Sequence, residues 1–237
     1  MTTDLFALTH ATWPAASVEN VSGWSIREGC GGGNRVSAAT WDGDGPPDFD
    51  RAESAMTKLG QPPLFMVRHD DTALDEALAA RGYEIRDPTL GFAVATGALA
   101  QSPPPVTSFA IWPPLAIQSE IWSDGGIGAE RLEIMARVKG PKTTLFGRIS
   151  DKPAATAFVA IHESAAMLHA LEVAKSFRRQ GLARILMGHA AAWAQDMGAD
   201  RLFLLVTRAN LPAVKLYTSL GFEPVGHYHY RTRRLEA

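Results

Sequence analysis

The chain has 237 residues, 46% of them hydrophobic and 20% charged, which is typical of folded globular proteins and unlike disordered chains. Its formal net charge is −2 and its basic residues form no extended run, so we expect no nucleic-acid partner. Cys30 is the only cysteine, the first residues lack the basic start of a secretory signal, and no apolar run could span a membrane, which together predict a cytoplasmic protein.

The first part of the chain alternates between segments typical of strands and of helices. A helical segment begins at Leu5 and is interrupted by Pro14, which cannot donate a helical hydrogen bond. Alternating or β-branched residues predict the strands, and apolar residues spaced three and four apart predict the helices. The predicted strands are 24–27, 36–41, 64–67 and 90–95, and the predicted helices are 50–59 and 72–81.

A glycine-rich segment, E-G-C-G-G-G-N at 28–34, joins the first two predicted strands. Its glycines could cradle a phosphate, but a phosphate loop should open a helix. Because 36–41 is β-branched and extended in character, we interpret the segment as a hairpin turn, with a phosphate loop as the weaker alternative.

Small residues and prolines follow at 97–105, where the sequence reads G-A-L-A-Q-S-P-P-P. Such a composition is typical of linkers. We therefore predict an N-terminal domain at 1–97, a linker at 98–105 and a C-terminal domain at 106–237.

The second part of the chain predicts a sheet that mixes antiparallel and parallel strands. Short turns join its first three strands, which favours antiparallel pairing, and a helix from Leu182 to the stop at Gly198 links the third strand to a parallel fourth. The fold class is therefore α/β, with helices on both faces of the sheet. The strands are 143–149, 154–161, 166–174 and 201–207, and two earlier helices are 117–122 and 129–138.

The tail at 227–234 predicts a final strand. His227 and His229 share one of its faces, but no acid or cysteine joins them there, so we expect no metal site.

The run R-R-Q-G-L-A at 178–183 lies between the third strand and the following helix. Gly181 lets a ligand approach the backbone closely, and the first amides of a helix have no intrahelical acceptor, so they can bind an anion. Arg178, Arg179 and Arg184 add positive charge around them.

This R-x-x-G-x-A pattern after a strand resembles the acetyl-CoA pyrophosphate loop of the GCN5-related N-acetyltransferases, the GNAT family. The run at 207–225, T-R-A-N-L-P-A-V-K-L-Y-T-S-L-G-F-E-P-V, is similar to the family's closing signature in the spacing of Asn210, Ala213, Tyr217 and Gly221. The resemblance covers roughly 106–237.

The resemblance implies a GNAT-like acyl-CoA N-acyltransferase fold and transfer of acetyl from acetyl-CoA to a primary amine by direct attack in a ternary complex, without a metal. It also implies that the helices around Asp124-Gly125-Gly126 form a wall of the acceptor pocket, which Trp112 and Trp122 either line or simply support by packing. The residues expected at the cofactor are Leu171, Val173, Arg178, Arg179, Gln180, Gly181, Leu182, Ala183, Arg184 and Asn210.

The acceptor amine must lose a proton before it attacks the thioester, so a general base is required. Glu172, a lone acid in an apolar strand, is the first candidate, and His169 and Glu163 are weaker ones. The alternative is that Glu172 faces solvent or pairs with an arginine such as Arg178. The Val173 amide is a candidate donor to the thioester oxygen.

Tyr217 is the candidate acid that protonates the departing thiolate, and its alternative is a core tyrosine on the apolar face of its helix. Asn210 precedes Leu211-Pro212 and also has the position of a helix N-cap, a role that is compatible with cofactor binding.

The two halves of the chain share a pattern. A-L-D-E-A-L-A-A-R-G-Y-E-I at 73–85 resembles P-A-V-K-L-Y-T-S-L-G-F-E-P at 212–224, which predicts a tandem arrangement with a degenerate first copy. In that copy Leu78 stands opposite Tyr217 and Asp71 opposite Asn210. Two unrelated helix ends are the alternative, because glycine is common there.

Two rival functions remain at this stage. One is a catalytically inactive CoA-binding sensor or interaction protein. The other is a phosphate-loop nucleotide protein, which is weaker because no lysine and hydroxyl residue follow Gly181. The sequence leaves open the acceptor amine and the oligomeric state, a homodimer included.

Overall fold

The computed structural model describes residues 3–233. Its helices are α1 Leu5–Thr12, α2 Asn34–Ser37, α3 Phe49–Lys58, α4 Thr72–Ala80, α5 Thr96–Leu99, α6 Ala116–Asp124, α7 Ala129–Arg137, α8 Leu182–Asp196 and α9 Leu211–Ser219, with a 3-10 turn at Lys175–Phe177. Its strands are β1 Ser17–Val21, β2 Trp24–Glu28, β3 Thr40–Trp41, β4 Leu64–Arg68, β5 Glu84–Ala95, β6 Ser108–Ile111, β7 Lys142–Ile149, β8 Lys152–His162, β9 Ala165–Val173, β10 Arg201–Thr207 and β11 Glu223–Thr232.

The described chain divides into two compact units, each built from several segments. Unit 1 combines the N-terminal segment up to Pro14 with Gly91–Val206 and Leu211–Val225. Unit 2 combines Ala15–Leu90 and Thr207–Asn210 with the C-terminal segment from Gly226 onward.

These units differ from the predicted boundaries. The predicted linker at 98–105 lies inside unit 1, where the Gln101 N–H donates to the Gly188 carbonyl of α8 at 3.1 Å. A proline-rich composition indicates that a segment lacks long helices or strands, but it does not tell which body the segment packs on. The division into copies at 1–97 and 106–237 stays a prediction.

The sheet of unit 1 has the predicted mixed topology. Its strand order is β5-β10-β9-β8-β7-β6, in which β6 to β9 pair antiparallel and β9 pairs parallel with β10. On β8, Thr156 bonds Gln118 of α6, whereas its neighbour Ala155 shares the other face with Leu182 of α8. Helices therefore cover both faces, because successive strand residues point to opposite sides.

Unit 1 also has an apolar core beneath the N-terminal helix. Leu8 of α1 is fully buried there with Met167 of β9 and Phe203 of β10.

In unit 2, β1, β2 and β3 form an antiparallel sheet, and β4 pairs antiparallel with the end of β11, from Tyr228↔Arg68 to Thr232↔Leu64. The predicted final strand is thus confirmed up to Thr232, whereas Arg234 lies outside the described residues. Trp24, Phe65 and Tyr83 form the centre of this unit's core.

The predicted strand at 36–41 is wrong in its first half. Val36 lies in α2, and only Thr40 and Trp41 form a strand, β3, which pairs with β2. Gly33 has a φ of 96° and the Ser37 hydroxyl donates to its carbonyl at 3.1 Å, so the glycine run turns the chain into one helical turn before the strand begins. β-branched residues did not reveal this local hydrogen bond.

The repeated sequence pattern corresponds to repeated local structure. A shift of 139 residues places both ends of α4 on those of α9 (72 on 211, 80 on 219) and the start of β5 on that of β11 (84 on 223). The chain also leaves the two helices in the same way: Tyr83 N–H donates to the Leu78 carbonyl and Phe222 N–H to the Tyr217 carbonyl, each at 3.1 Å. This agreement supports the tandem hypothesis.

Candidate active site

The candidate site in unit 1 centres on an irregularity in β9. Thr156 of β8 lies opposite Glu172, but Phe158 lies opposite His169, so β9 contains an extra residue between these pairs. Ala170 within this bulge has a φ of 51°, a conformation that residues other than glycine rarely adopt. The bulge redirects the last residues of the strand.

The other edge of β9 opens at the same place. Its parallel pairing with β10 runs from Ala165↔Arg201 to Leu168↔Leu204 and ends there. The segment from His169 to Val173 thus continues beyond its pairing with β10, while Glu172 and Val173 still pair with β8.

The direction of the peptide groups follows from one hydrogen bond. The Ala174 N–H donates to the Ala154 carbonyl at 2.9 Å, toward β8. Since peptide groups alternate along a strand, the N–H and carbonyl of Val173 and the carbonyl of Leu171 face the open edge. Arg178 is consistent with this, because its Nε donates to the Val173 carbonyl at 3.0 Å.

The chain then enters α8 through the loop for which an anion cradle is predicted. Arg179 and Gly181 have φ values of 63° and 84°, and α8 begins without a side-chain cap. The Ile185 N–H is bonded to the Gly181 carbonyl at 3.2 Å, so the amides of Leu182, Ala183 and Arg184 precede the first helical hydrogen bond. The structure brings them together around the exposed loop, as an anion site requires.

Two polar side chains of the loop have partners of their own. The Gln180 amide donates to the Ser176 carbonyl at 3.4 Å, and Arg184 Nη2 donates to the Ser219 hydroxyl at 3.0 Å. Arg184 therefore reaches the end of α9.

Glu172 lies where β9, the loop before α8 and the end of α6 come together. Its side chain is 18% exposed, and its carboxylate accepts a hydrogen bond from Arg178 Nη2 at 2.9 Å. A Cβ atom added at Gly125, just after α6, would lie 2.7 Å from Glu172 Cδ. The ion pair predicted as the alternative is therefore present, and it places the carboxylate beside the open edge.

Tyr217 lies on α9 in an aromatic environment. It is 8% exposed, with the rings of Phe92 and Phe222 centred 6.5 and 5.9 Å away. Burial raises the pKa of Tyr217 to about 12, so the hydroxyl keeps its proton at neutral pH. Asn210 belongs to the Thr207–Asn210 segment of unit 2, where its N–H donates to the Thr207 carbonyl at 3.0 Å.

The weaker base candidates lie elsewhere. His169 is 4% exposed, stacks on Trp13 and bonds Thr12 at 2.9 Å. Glu163 is in the exposed turn that precedes β9, about 30 Å from Glu172 along an extended strand.

Trp122 and Trp112 differ in their surroundings. Trp122 is fully buried and its indole N–H donates to the Ala170 carbonyl in the bulge at 2.7 Å. Trp112 is 37% exposed, with Lys142 Nζ 4.7 Å from its ring centre. Sequence reasoning found both tryptophans but missed the bond to Ala170, for which the sequence carries no signal.

Among residues 3–233, no group of three or more His, Cys, Asp or Glu is placed to hold a metal ion. In the same part of the chain, the helices lack the combined length and apolar character needed to cross a bilayer.

Residues 111–222, which include β9, the cradle and Tyr217, match the acetyltransferase (GNAT) family. The uncharacterized N-acetyltransferase YobR of Bacillus subtilis is 29% identical over 241 residues, covering 96% of each chain. A GCN5-related N-acetyltransferase from Kribbella flavida has the same fold, with a TM-score of 0.70 at 18% identity over 98% of this chain and 95% of that one.

A tandem GNAT protein from the clavulanic acid biosynthesis pathway is also similar in fold, with a TM-score of 0.60 at 16% identity over 82% of this chain and 74% of that one. The family resemblance and the mixed α/β fold predicted from the motifs are thus confirmed, and the tandem prediction agrees with this neighbour. Residues 111–222 thus match an acetyltransferase domain of the GNAT family.

Proposed function

We propose that the protein transfers an acetyl group from acetyl-CoA to a primary amine of a small molecule or peptide, by direct attack in a ternary complex. The observation that carries this proposal is the continuity of two features: β9 leaves β10 after Leu168, ends at Val173, and is followed by a loop and the uncapped start of α8 at Leu182. An extended arm ending in an anion needs these two features side by side.

Acetyl-CoA has both parts. Its pantetheine amides can pair with the open edge at Leu171 and Val173 as an added strand would. Its pyrophosphate can accept hydrogen bonds from the α8 amides after Gly181, with Arg178 and Arg179 supplying charge. Asn210 stays a further candidate for cofactor contact.

Glu172 is the proposed base. It takes the proton from the ammonium form of the acceptor, and the free amine then attacks the thioester carbon. The oxygen of the tetrahedral intermediate becomes negative, and the Val173 N–H, which faces the open edge, donates to it.

Tyr217 is the proposed acid. When the carbon–sulfur bond breaks, the thiolate takes the phenolic proton, so CoA leaves as the neutral thiol. The phenol holds its proton at neutral pH, as a donor must, and burial, which raises its pKa to about 12, makes it a weaker acid than an exposed tyrosine.

One observation favours the inactive CoA-binding alternative. The Arg178–Glu172 ion pair at 2.9 Å occupies one carboxylate oxygen, Oε1, which is not free to accept a proton from the acceptor for as long as the pair persists. The cytoplasmic location, predicted from the cysteine content, the first residues and the apolar runs of the sequence, is part of the acetyl-transfer proposal.

The test combines acetyl-CoA binding by calorimetry with a thiol-release assay across a panel of primary amines. We expect binding together with amine-dependent release, a fall in kcat of about 100-fold in Glu172→Gln, and wild-type rates in the matched control Glu163→Gln at the far end of β9. Tight binding without thiol release on any amine supports the inactive alternative. No binding at all refutes the proposal.

A further inference from the structure

We propose that Trp122 is a positioning residue for acetyl transfer, which holds the β9 bulge in the shape that presents the Val173 amide to the thioester. This inference rests on the proposed function. It concerns a side chain that has no direct contact with the reacting atoms in that scheme.

The bond that carries the inference is short and comes from a buried side chain. The indole N–H of Trp122 donates to the Ala170 carbonyl at 2.7 Å, and the tryptophan is fully buried. Ala170 has a φ of 51°, which costs free energy for a residue with a Cβ atom and persists only when its surroundings hold it. The hydrogen bond from the indole helps to hold Ala170 in this conformation.

The helix that carries Trp122 is itself fixed to the sheet by buried polar bonds. Gln118, on the first turn of α6, donates through Nε2 to the hydroxyls of Thr144 and Thr156 at 3.0 Å each, and all three residues are fully buried. Thr156 lies directly opposite Glu172. The helix is thus bonded to β7 and β8 at its start and to β9 near its end.

The bulge decides where the following peptide groups point. It inserts one residue into β9, and an inserted residue reverses which edge each later N–H faces. The Val173 N–H lies three residues after Ala170. If the Ala170 carbonyl loses its donor, the bulge can relax and the Val173 amide no longer has a fixed direction.

The role predicts a split between kcat and CoA affinity. CoA lacks the thioester oxygen, so its binding does not use the Val173 amide as an oxyanion donor, and the α8 amides proposed to hold its pyrophosphate lie beyond the bulge. Its pantetheine pairing at Leu171 and Val173 does depend on the bulge, so CoA affinity is expected to fall as well, but by less than kcat. The oxyanion donor acts on the transition state, and loss of such a donor lowers kcat by about 100- to 1000-fold. For a displaced donor we expect a 10- to 100-fold loss of kcat, with the CoA Kd within about threefold of wild type.

The experiment uses Trp122→Phe in the full chain, and Trp24→Phe as a matched control. Trp24 is also fully buried and its indole N–H donates to the Asp48 carbonyl at 3.0 Å, but it lies in the core of unit 2. We expect Tm to fall in both variants and kcat to fall only in Trp122→Phe. A second form carries the benzothienyl analogue of tryptophan at position 122, which replaces N–H by sulfur, keeps the ring shape and is expected to reproduce the loss of kcat.

Two results overturn the positioning role alone: a folded form without the N–H that keeps wild-type kcat, or a loss of CoA affinity as large as the loss of kcat. If the wild-type protein acetylates no amine, the proposed function fails first, and this inference with it.

Discussion

The close approach of Glu172 to Gly125 gives a sharp test of the site. Gly125 has a φ of −85°, which alanine adopts without strain, and it ends α6. A Cβ atom there would lie 2.7 Å from both Cγ and Cδ of Glu172 and 2.9 Å from Oε2. Ordinary van der Waals contact begins near 3.4 Å, so Gly125→Ala must move the carboxylate by roughly 1 Å.

The expected effect is on activity rather than stability. The end of a glutamate side chain can move at little cost, so the free energy of unfolding should change by less than about 0.5 kcal/mol. A displacement of about 1 Å at a catalytic group costs up to about 100-fold in rate. We therefore expect kcat to fall by about 10- to 100-fold while acetyl-CoA binds normally.

Gly126→Ala is the matched control. Gly126 has a φ of 80° and no atom within 4 Å of an added Cβ, so its substitution strains the backbone without touching Glu172. It should lower the free energy of unfolding by about 1 kcal/mol and leave kcat near wild type. Urea unfolding and the thiol-release assay measure both variants. Equal kcat values for wild type and Gly125→Ala would refute the assignment of Glu172 as the base.

Three further predictions test other contacts. Tyr217→Phe should lower kcat about 100-fold. Because the pKa of Tyr217 is raised to about 12 in the fold and lies near 10 when unfolded, the free energy of unfolding of the wild type should fall between pH 10 and 12. Urea unfolding should show a smaller fall for the variant over the same pH range. Gly181→Ala, at a φ of 84° with open space around it, should weaken CoA binding about fivefold, or 1 kcal/mol, by calorimetry, and unchanged affinity would count against the cradle. In unit 2, Asp75→Asn should cost about 2 kcal/mol at pH 6, since Arg231 donates to both its oxygens at 2.7 and 2.9 Å. The hydrogen bond from Arg231 is the largest cause that lowers the pKa of Asp75, so this stability should be present above about pH 4 and lost below it, and urea unfolding at pH 3 should bring variant and wild type closer.

The position of the loop and of the helix start after Gly181 could be predicted from the sequence because they depend on local interactions, whereas anion binding there stays a prediction. A positive φ between a strand and a helix favours glycine, so it can be recognised in the sequence, and Gly181 has such a φ. The same holds for the helix ends at Gly82 and Gly221, each of which is followed by an aromatic residue whose N–H donates to the carbonyl five residues earlier.

The contacts that shape the site could not be predicted in this way. The bond from Trp122 to Ala170 joins residues 48 positions apart, and neither residue type indicates it. The helical turn α2, which replaces the first half of the predicted strand at 36–41, was missed for a different reason: it depends on a local hydrogen bond from Ser37 to Gly33 that β-branched residues do not indicate.

Arg178 bonds two groups at the open edge of β9, and this affects the order in which the substrates bind. One guanidinium holds the Val173 carbonyl and the Glu172 carboxylate, and that carbonyl is a group the pantetheine arm would use. Under the proposed function, binding of acetyl-CoA moves Arg178 from the Glu172 carboxylate to the pyrophosphate. The same step therefore binds the acetyl donor and frees the base. An acceptor that enters first meets a neutralised carboxylate, so turnover starts with the thioester already in place.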